Sequence, residues 1–192
     1  MIENIVLKPV THDDAQLIVE MRNSEAVMKN FVIREPFTLD SQHTWITNFV
    51  ESGKAAQYII YLTTENKPVG SVYISNIDRQ HSKGELGIFI SDGSNHGKGV
   101  GTAAVNAILN IAFHELGLHR VYLRVFPENV GAVRSYEKAG FRYEGLLRET
   151  VFVEGEYRDM IIMSCINDRQ GELCQHNITK QRLHKVNEIE MM

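Results

Sequence analysis

The residues most able to do chemistry form one short run, His96-Gly97-Lys98-Gly99-Val100-Gly101-Thr102. Three glycines alternate with other residues, after an apolar strand-like stretch and before a long helix-like one. Glycine lets a backbone approach a ligand closely and turn without strain. A helix starting here adds unpaired N–H groups and the positive end of its dipole. Together these make a cradle for a phosphate or pyrophosphate. Spacing excludes two rivals. A P-loop needs four residues between its first glycine and Gly-Lys, then Ser or Thr, whereas only three residues lie between Gly93 and Gly97, and Gly99 follows Lys98. A dinucleotide fingerprint needs Gly-x-Gly-x-x-Gly, and Gly97, Gly99 and Gly101 are evenly spaced. Taken alone, the loop still reads equally as a glycine-rich turn.

Other chemistries find little support. A covalent route needs an activated thiol or hydroxyl, but Cys165 lies in the apolar run 161–166 and reads as an inert strand residue, and Cys174 lies in a polar tail. No pair among the eight histidines has metal-ligand spacing with acidic partners, so no metal is expected.

The elements that must position the loop follow from periodicity. Residues 5–10 read as a strand, and Thr11 to Asp14 as a helix start with an acid at the third position. That helix carries Ala15, Ile18 and Met21, and a second runs from about Asp40 to Glu51 with Trp45, Ile46, Phe49 and Val50. Between them, 31–37 is irregular. Residues 57–63 and 69–74 read as a hairpin turning at Glu65 to Pro68, and 84–90 as a further strand. After the loop, 102–116 is a helix whose polar residues Thr102, Asn106, Asn110 and His114 recur every four positions; Gly117 stops it. Residues 120–126 alternate Val121, Leu123 and Val125 against Tyr122, Arg124 and Phe126, a half-buried strand. A helix over 129–139 closes at Gly140, and strands follow at 141–153 and 157–166. This order predicts an α/β (α+β) domain over 1–166, with helices on a mostly antiparallel sheet and parallel pairing near its centre. The tail 167–192 is polar, helical or disordered, and without chemistry.

Bulk properties agree. The chain has 192 residues, 43% of them apolar, which suits one domain with a proper core. A net charge of −4 argues against nucleic-acid binding. Two cysteines make no disulfide framework, and no stretch reads as a signal peptide or a membrane span. A cytoplasmic protein is expected.

The loop is not isolated. With Glu85-Leu86-Gly87-Ile88-Phe89-Ile90 before it and the run from Asn129 to Phe141 after it, the chain resembles the GNAT superfamily of acetyl-CoA-dependent N-acetyltransferases. The likeness covers roughly residues 5 to 166 in element order, and three motifs at coherent spacing are far more specific than one. The family's pyrophosphate loop usually opens with Gln or Arg where this chain has His96, a departure of little weight because most loop contacts are backbone N–H groups.

The resemblance implies a GNAT fold of about seven strands in which 84–90 and 120–126 are parallel and splay apart. Backbone groups of Phe89 and Ile90 would bond the pantetheine arm, the amides of Gly97 to Thr102 would hold the pyrophosphate, Lys98 would reach a phosphate, and Asn129 would complete the cofactor site. Tyr136 occupies the position of the acid that serves the departing thiolate; otherwise it is a helix tyrosine packed on the sheet. Glu85 is the candidate base, directly or through water; otherwise it is a strand-end surface carboxylate. The implied reaction is direct attack of an amine on the thioester in a ternary complex. The alternative is a non-catalytic acyl-CoA-binding regulatory protein of the same fold. The chain is most similar to the branch acting on ribosomal-protein N-termini, spermidine and nucleotide-linked amino sugars, so the acceptor is a small-molecule or peptide amine. Met21-Arg22-Asn23 followed by Trp45-Ile46 is similar to the amino-sugar group, with Arg22 meeting a phosphate and Trp45 stacking on a ring, or Trp45 anchoring its helix. Homodimers are common in that branch, and no feature of the sequence decides for one.

Overall fold

The structure, a computed structural model, describes residues 5–91, 93 and 97–167. His96 and the tail from 168 onward lie outside the described residues. Seven strands form one sheet in the order β1-β2-β3-β4-β5-β7-β6. They are β1 Ile5–Pro9, β2 Ala56–Leu62, β3 Lys67–Asp78, β4 Lys83–Ile90, β5 Arg120–Val125, β6 Arg142–Val153 and β7 Glu156–Ile166. All neighbours pair antiparallel except β4 and β5, which are parallel. The helices are α1 Ala15–Arg22, α2 Glu25–Met28, α3 Leu39–Trp45, α4 Val100–Asn110 and α5 Val130–Lys138. Among the described residues, no helix is long and apolar enough to cross a membrane.

The sheet is covered on both faces, which is why its inner strands read as nearly continuous apolar runs. In β2, Ile60 packs with α4 and α5, where Val105, Ile108, Leu109 and Tyr136 form the larger cluster. Its neighbour Ile59 packs on the opposite face with Ile18, Met21, Ile46 and Phe89. The period-two alternation of strands makes this division. Helix α4 buries Val100, Ala104, Val105, Ile108 and Leu109 and exposes Asn106 and Asn110, the stripe that its sequence prescribes.

Three local features differ from the sequence reading. Pro68 lies inside β3 rather than in the turn, because the register shifts between Ile60 and Tyr61 and Pro68 then faces Tyr61; a bulge is where a strand tolerates a residue without an N–H. A short α2 follows Ser24, too brief to show a period. Helices α3 and α4 both end in wider π turns, Ile46–Val50 and Ile111–Glu115, closed by Glu51 N–H to Ile46 O and Leu116 N–H to Ile111 O at 2.9 Å each.

Candidate active site

Strands β4 and β5 pair at Lys83↔Arg120, Gly84↔Val121 and Glu85↔Tyr122, and there the ladder ends. Beyond Glu85, β4 stays with β3 as far as Gly70↔Ile90, while β5 stays with β7 as far as Val125↔Ile161. The sheet is therefore split at its centre. Strand alternation decides which backbone groups face the split. Ser91 N–H donates to Val69 O on β3 at 2.9 Å, and Ser82 O accepts from Arg120 N–H on the β5 side at 3.1 Å. Odd residues of β4 thus turn to β3, and Leu86, Ile88 and Ile90 turn to the opening. The expectation for Ile90 keeps its geometry. Phe89 departs from it: its main chain serves β3 and its side chain is buried beside α1, with Phe31 edge-on at 6.1 Å between ring centres.

The glycine loop stands at the same end of β4. Gly97 and Gly99 have φ of 77° and 89°, the left-handed region, and no atom stands within 4 Å of where a Cβ would project. Gly99 is the N-cap of α4, and the first intrahelical bond is Ala103 N–H to Gly99 O at 2.9 Å. The amides of Val100, Gly101 and Thr102 are the orphan donors of that helix end, aimed where an anion would sit. Lys98 is exposed beside them. Thr102 Oγ1 lies 2.9 Å from Ser135 Oγ, and a Cβ on Gly101 would stand 3.5 Å from the same hydroxyl, so small residues let α4 and α5 approach. Asn129 caps α5, its side-chain oxygen accepting from Ala132 N–H at 3.2 Å.

Tyr136 projects from α5 on the far side of the split and is 9% exposed. Burial pushes its phenol well above the ordinary range, and the nearby Tyr73 phenol pushes the same way. Tyr73 comes from β3 on the α1 face. Its ring lies across Gly87, where a Cβ would stand 2.1 Å from the ring and 2.4 Å from the hydroxyl. Gly87 is thus a space left for the Tyr73 ring beside the opening. Burial raises Tyr73 as well, against the pull of Arg22. Glu85, at the last paired position, accepts from Arg124 Nε at 2.8 Å and Asn76 Nδ2 at 3.0 Å, with its side chain 13% exposed. Tyr122 is raised by burial and then by Glu85. Tyr73, Tyr122 and Arg124 stand at this candidate site, and sequence reasoning did not single them out. The alternation of β5 already set Tyr122 and Arg124 on one face, while nothing local marks Tyr73.

The remaining candidates lie on the α1 face. Arg22 is 9% exposed, with its guanidinium 3.9 Å from the Phe31 ring centre and 4.3 Å from that of Phe37. Asn23 clamps the backbone of Phe37, donating to its carbonyl and accepting from its N–H, both at 2.8 Å. Trp45 donates to the buried Gln57 at 2.9 Å, stacks on Phe49 and meets Tyr73 edge-on at 6.1 Å.

Comparison with known proteins is consistent throughout. Residues 4–142 match the family described as acetyltransferase (GNAT) domain. A probable N-acetyltransferase of Bacillus subtilis is 29% identical over 172 residues, covering 86% of this chain and 95% of the relative. A spermidine N(1)-acetyltransferase of Escherichia coli K12 is 28% identical over 183 residues, covering 95% of each. The crystal structure of spermidine N-acetyltransferase from Vibrio cholerae in complex with CoA and spermine superposes with a TM-score of 0.76 at 27% identity, over 84% of this chain and 95% of that one.

Proposed function

The chain belongs to the GNAT acetyltransferase family and moves acetyl from acetyl-CoA to an amine, and from that premise we propose that Tyr136 serves the departing thiolate while Glu85 serves the attacking amine. The donor enters from the α4/α5 side. The amides from Gly97 to Thr102 hold its pyrophosphate, and the main chain of Ile88 and Ile90 bonds its arm. The acceptor approaches from the α1 face. The observation that carries this reading is the parting of β4 and β5 beyond Glu85↔Tyr122, with Tyr136 on the α4/α5 side of the sheet and Glu85 at the last paired position.

The amine must be neutral to attack. Its nitrogen bonds the thioester carbon, the carbon–sulfur bond breaks, and sulfur leaves as thiolate. The amine's proton passes to Glu85 through water, since Arg124 and Asn76 already occupy part of the carboxylate and a carboxylate has about four acceptor sites. Tyr136 remains a protonated donor at neutral pH because burial disfavours its phenolate. It hydrogen-bonds the developing thiolate and supplies the thiol proton, regaining its own from solvent. Thiol release over an amine panel tests the assignment. Tyr136→Phe lowers kcat by about 100-fold and leaves the acetyl-CoA KM within about threefold; full activity in that variant overturns it.

In this reading residues 1–166 act as one catalytic domain in a reducing cytoplasm, and the polar tail takes no part. A homodimer belongs to the same proposal. Strand β6 ends the sheet and exposes Tyr143, Leu146 and Phe152, an edge that proteins normally cover.

A further inference from the structure

Strand β3 carries one residue too many beside the candidate base. Its ladder with β4 holds Ser75 against Glu85 and Asp78 against Lys83, so Asn76 and Ile77 together face Gly84. That is a β-bulge, one extra residue on one strand, and a bulge re-aims side chains. Asn76 takes φ of 50°, in the left-handed region. Asn66 and Ser82 adopt that region in hairpin turns, where the chain reverses, whereas Asn76 adopts it inside a strand. The bulge is anchored from outside the pair, since Ile77 N–H donates to Lys54 O at 3.1 Å.

Alternation along β3 reveals what the bulge achieves. Val72 and Ile74 point into the cluster under α4 and α5, and an unbroken period of two would send Asn76 the same way. Glu85 stands on the opposite face of the sheet, with Phe89 two pleats along. Asn76 nevertheless meets it, donating from Nδ2 to Glu85 Oε2 at 3.0 Å. Arg124 Nε reaches Oε1 at 2.8 Å from β5. The carboxylate is gripped at both oxygens, from both neighbouring strands, at the last position where β4 and β5 pair. One contact lets a carboxylate pivot; two fix its plane and set the direction of its remaining lone pairs. Glycine is the usual residue at the left-handed position of such a bulge, and what asparagine adds over glycine is this amide. We infer that Asn76 is a positioning residue for acetyl transfer: the bulge turns its amide onto Glu85 and so aims the free lone pairs of the carboxylate at the water that relays the amine's proton. The proton goes from nitrogen to water and from water to Glu85, and Asn76 keeps both of its own. This role deepens the reading of Glu85 as the base and rests on it.

Asn76→Gly is the direct test, because glycine keeps the left-handed backbone and removes only the amide. Turnover is read by thiol release with spermidine, glucosamine or a peptide with a free N-terminus, whichever is fastest, and folding by Tm. We expect kcat to fall about tenfold, the effect of one hydrogen bond to a charged group. The acetyl-CoA KM should stay within about threefold, and Tm should be no lower than in wild type. Asn76→Asp, which also tolerates the left-handed region, offers Glu85 a like charge in place of a donor and should lower kcat at least as far. In a Glu85→Gln background, Asn76→Gly should change kcat by less than about twofold, since no base is left to aim. A merely structural role would lower Tm and would lower kcat alike in both backgrounds. Wild-type kcat in Asn76→Gly, or the same loss in both backgrounds, overturns the inference. Should Asn76→Gly not fold, Asn76→Asp carries the same comparison. Wild-type kcat in Glu85→Gln alone, or no thiol release from wild type with any of the amines, is a different failure, that of the reading above, and it takes this inference with it.

Discussion

Glu85→Gln replaces one carboxylate oxygen with an amide nitrogen, and that substitution isolates its role. Glu85→Gln keeps the shape and can still pair with Asn76, but it cannot take a proton from the amine. We expect kcat to fall about 100-fold with the acetyl-CoA KM nearly unchanged, measured by thiol release; a strand-end carboxylate with only a surface role would leave kcat alone. At this scale the sequence was partly legible. Tyr136 and the glycines announce themselves because they sit in contiguous motifs. Tyr73 does not, since its importance comes from Gly87 on the next strand leaving room for its ring. Arg22 was visible as a residue but not in its setting, because Phe31 and Phe37 reach it from an irregular segment without a period. Phe89 was misjudged in its backbone role because the direction of a strand's N–H and C=O groups depends on which neighbour it pairs with.

At the level of elements, the loop and the far hairpin each make a testable claim. Gly99 holds φ of 89° with open space around it, so Gly99→Ala is strained by backbone conformation and not by crowding. A left-handed non-glycine residue costs roughly 1–2 kcal/mol, and relaxing it turns the α4 amides away. The acetyl-CoA KM should rise by about tenfold or more while Tm changes little. The hairpin β6–β7 is tied to β5 by Arg120, which forks onto Glu144 at 2.7 and 2.5 Å while Ser164 donates to the same carboxylate at 2.7 Å. The hydrogen bond from Arg120 comes first among the causes holding Glu144 below its ordinary value. A carboxyl lowered by folding stabilises the fold above its unfolded value of about 4.3 and loses that contribution as pH falls through the folded one. Glu144→Gln should therefore be less stable than wild type at pH 7, by at most about 1 kcal/mol for so exposed a pair, and the two should converge in denaturant melts below about pH 4. In the core, Ile108 is fully buried, and Ile108→Ala should cost about 2–5 kcal/mol. Strands and helices were readable because the faces of α4 and β5 follow strict periods and β2 is a short apolar run bounded by turn residues. The π turns and the bulge at Pro68 were not, since each adds a residue that the period does not count.

For the whole molecule, the edge strand sets the assembly to look for. A second copy on β6 predicts a dimer by sedimentation velocity, and Phe152→Glu, which places charge on a side chain 62% exposed, should shift it toward monomer without unfolding it. Topology was legible because the order of elements and the motifs agreed; assembly was not, because an exposed apolar residue names no partner. The split sheet has a further consequence. Only three register pairs join β4 to β5, so the two halves of the protein are stapled by little of their own backbone. In the reading proposed above, acetyl-CoA lies between them and acts as a temporary eighth strand. Ligand that binds the folded chain alone adds about 4 kcal/mol at a thousandfold excess over Kd, and here that gain falls on the weakest seam. Amide exchange at Ile88 and Ile90 should slow most when CoA is added, making the enzyme's cohesion a readout of how much donor surrounds it.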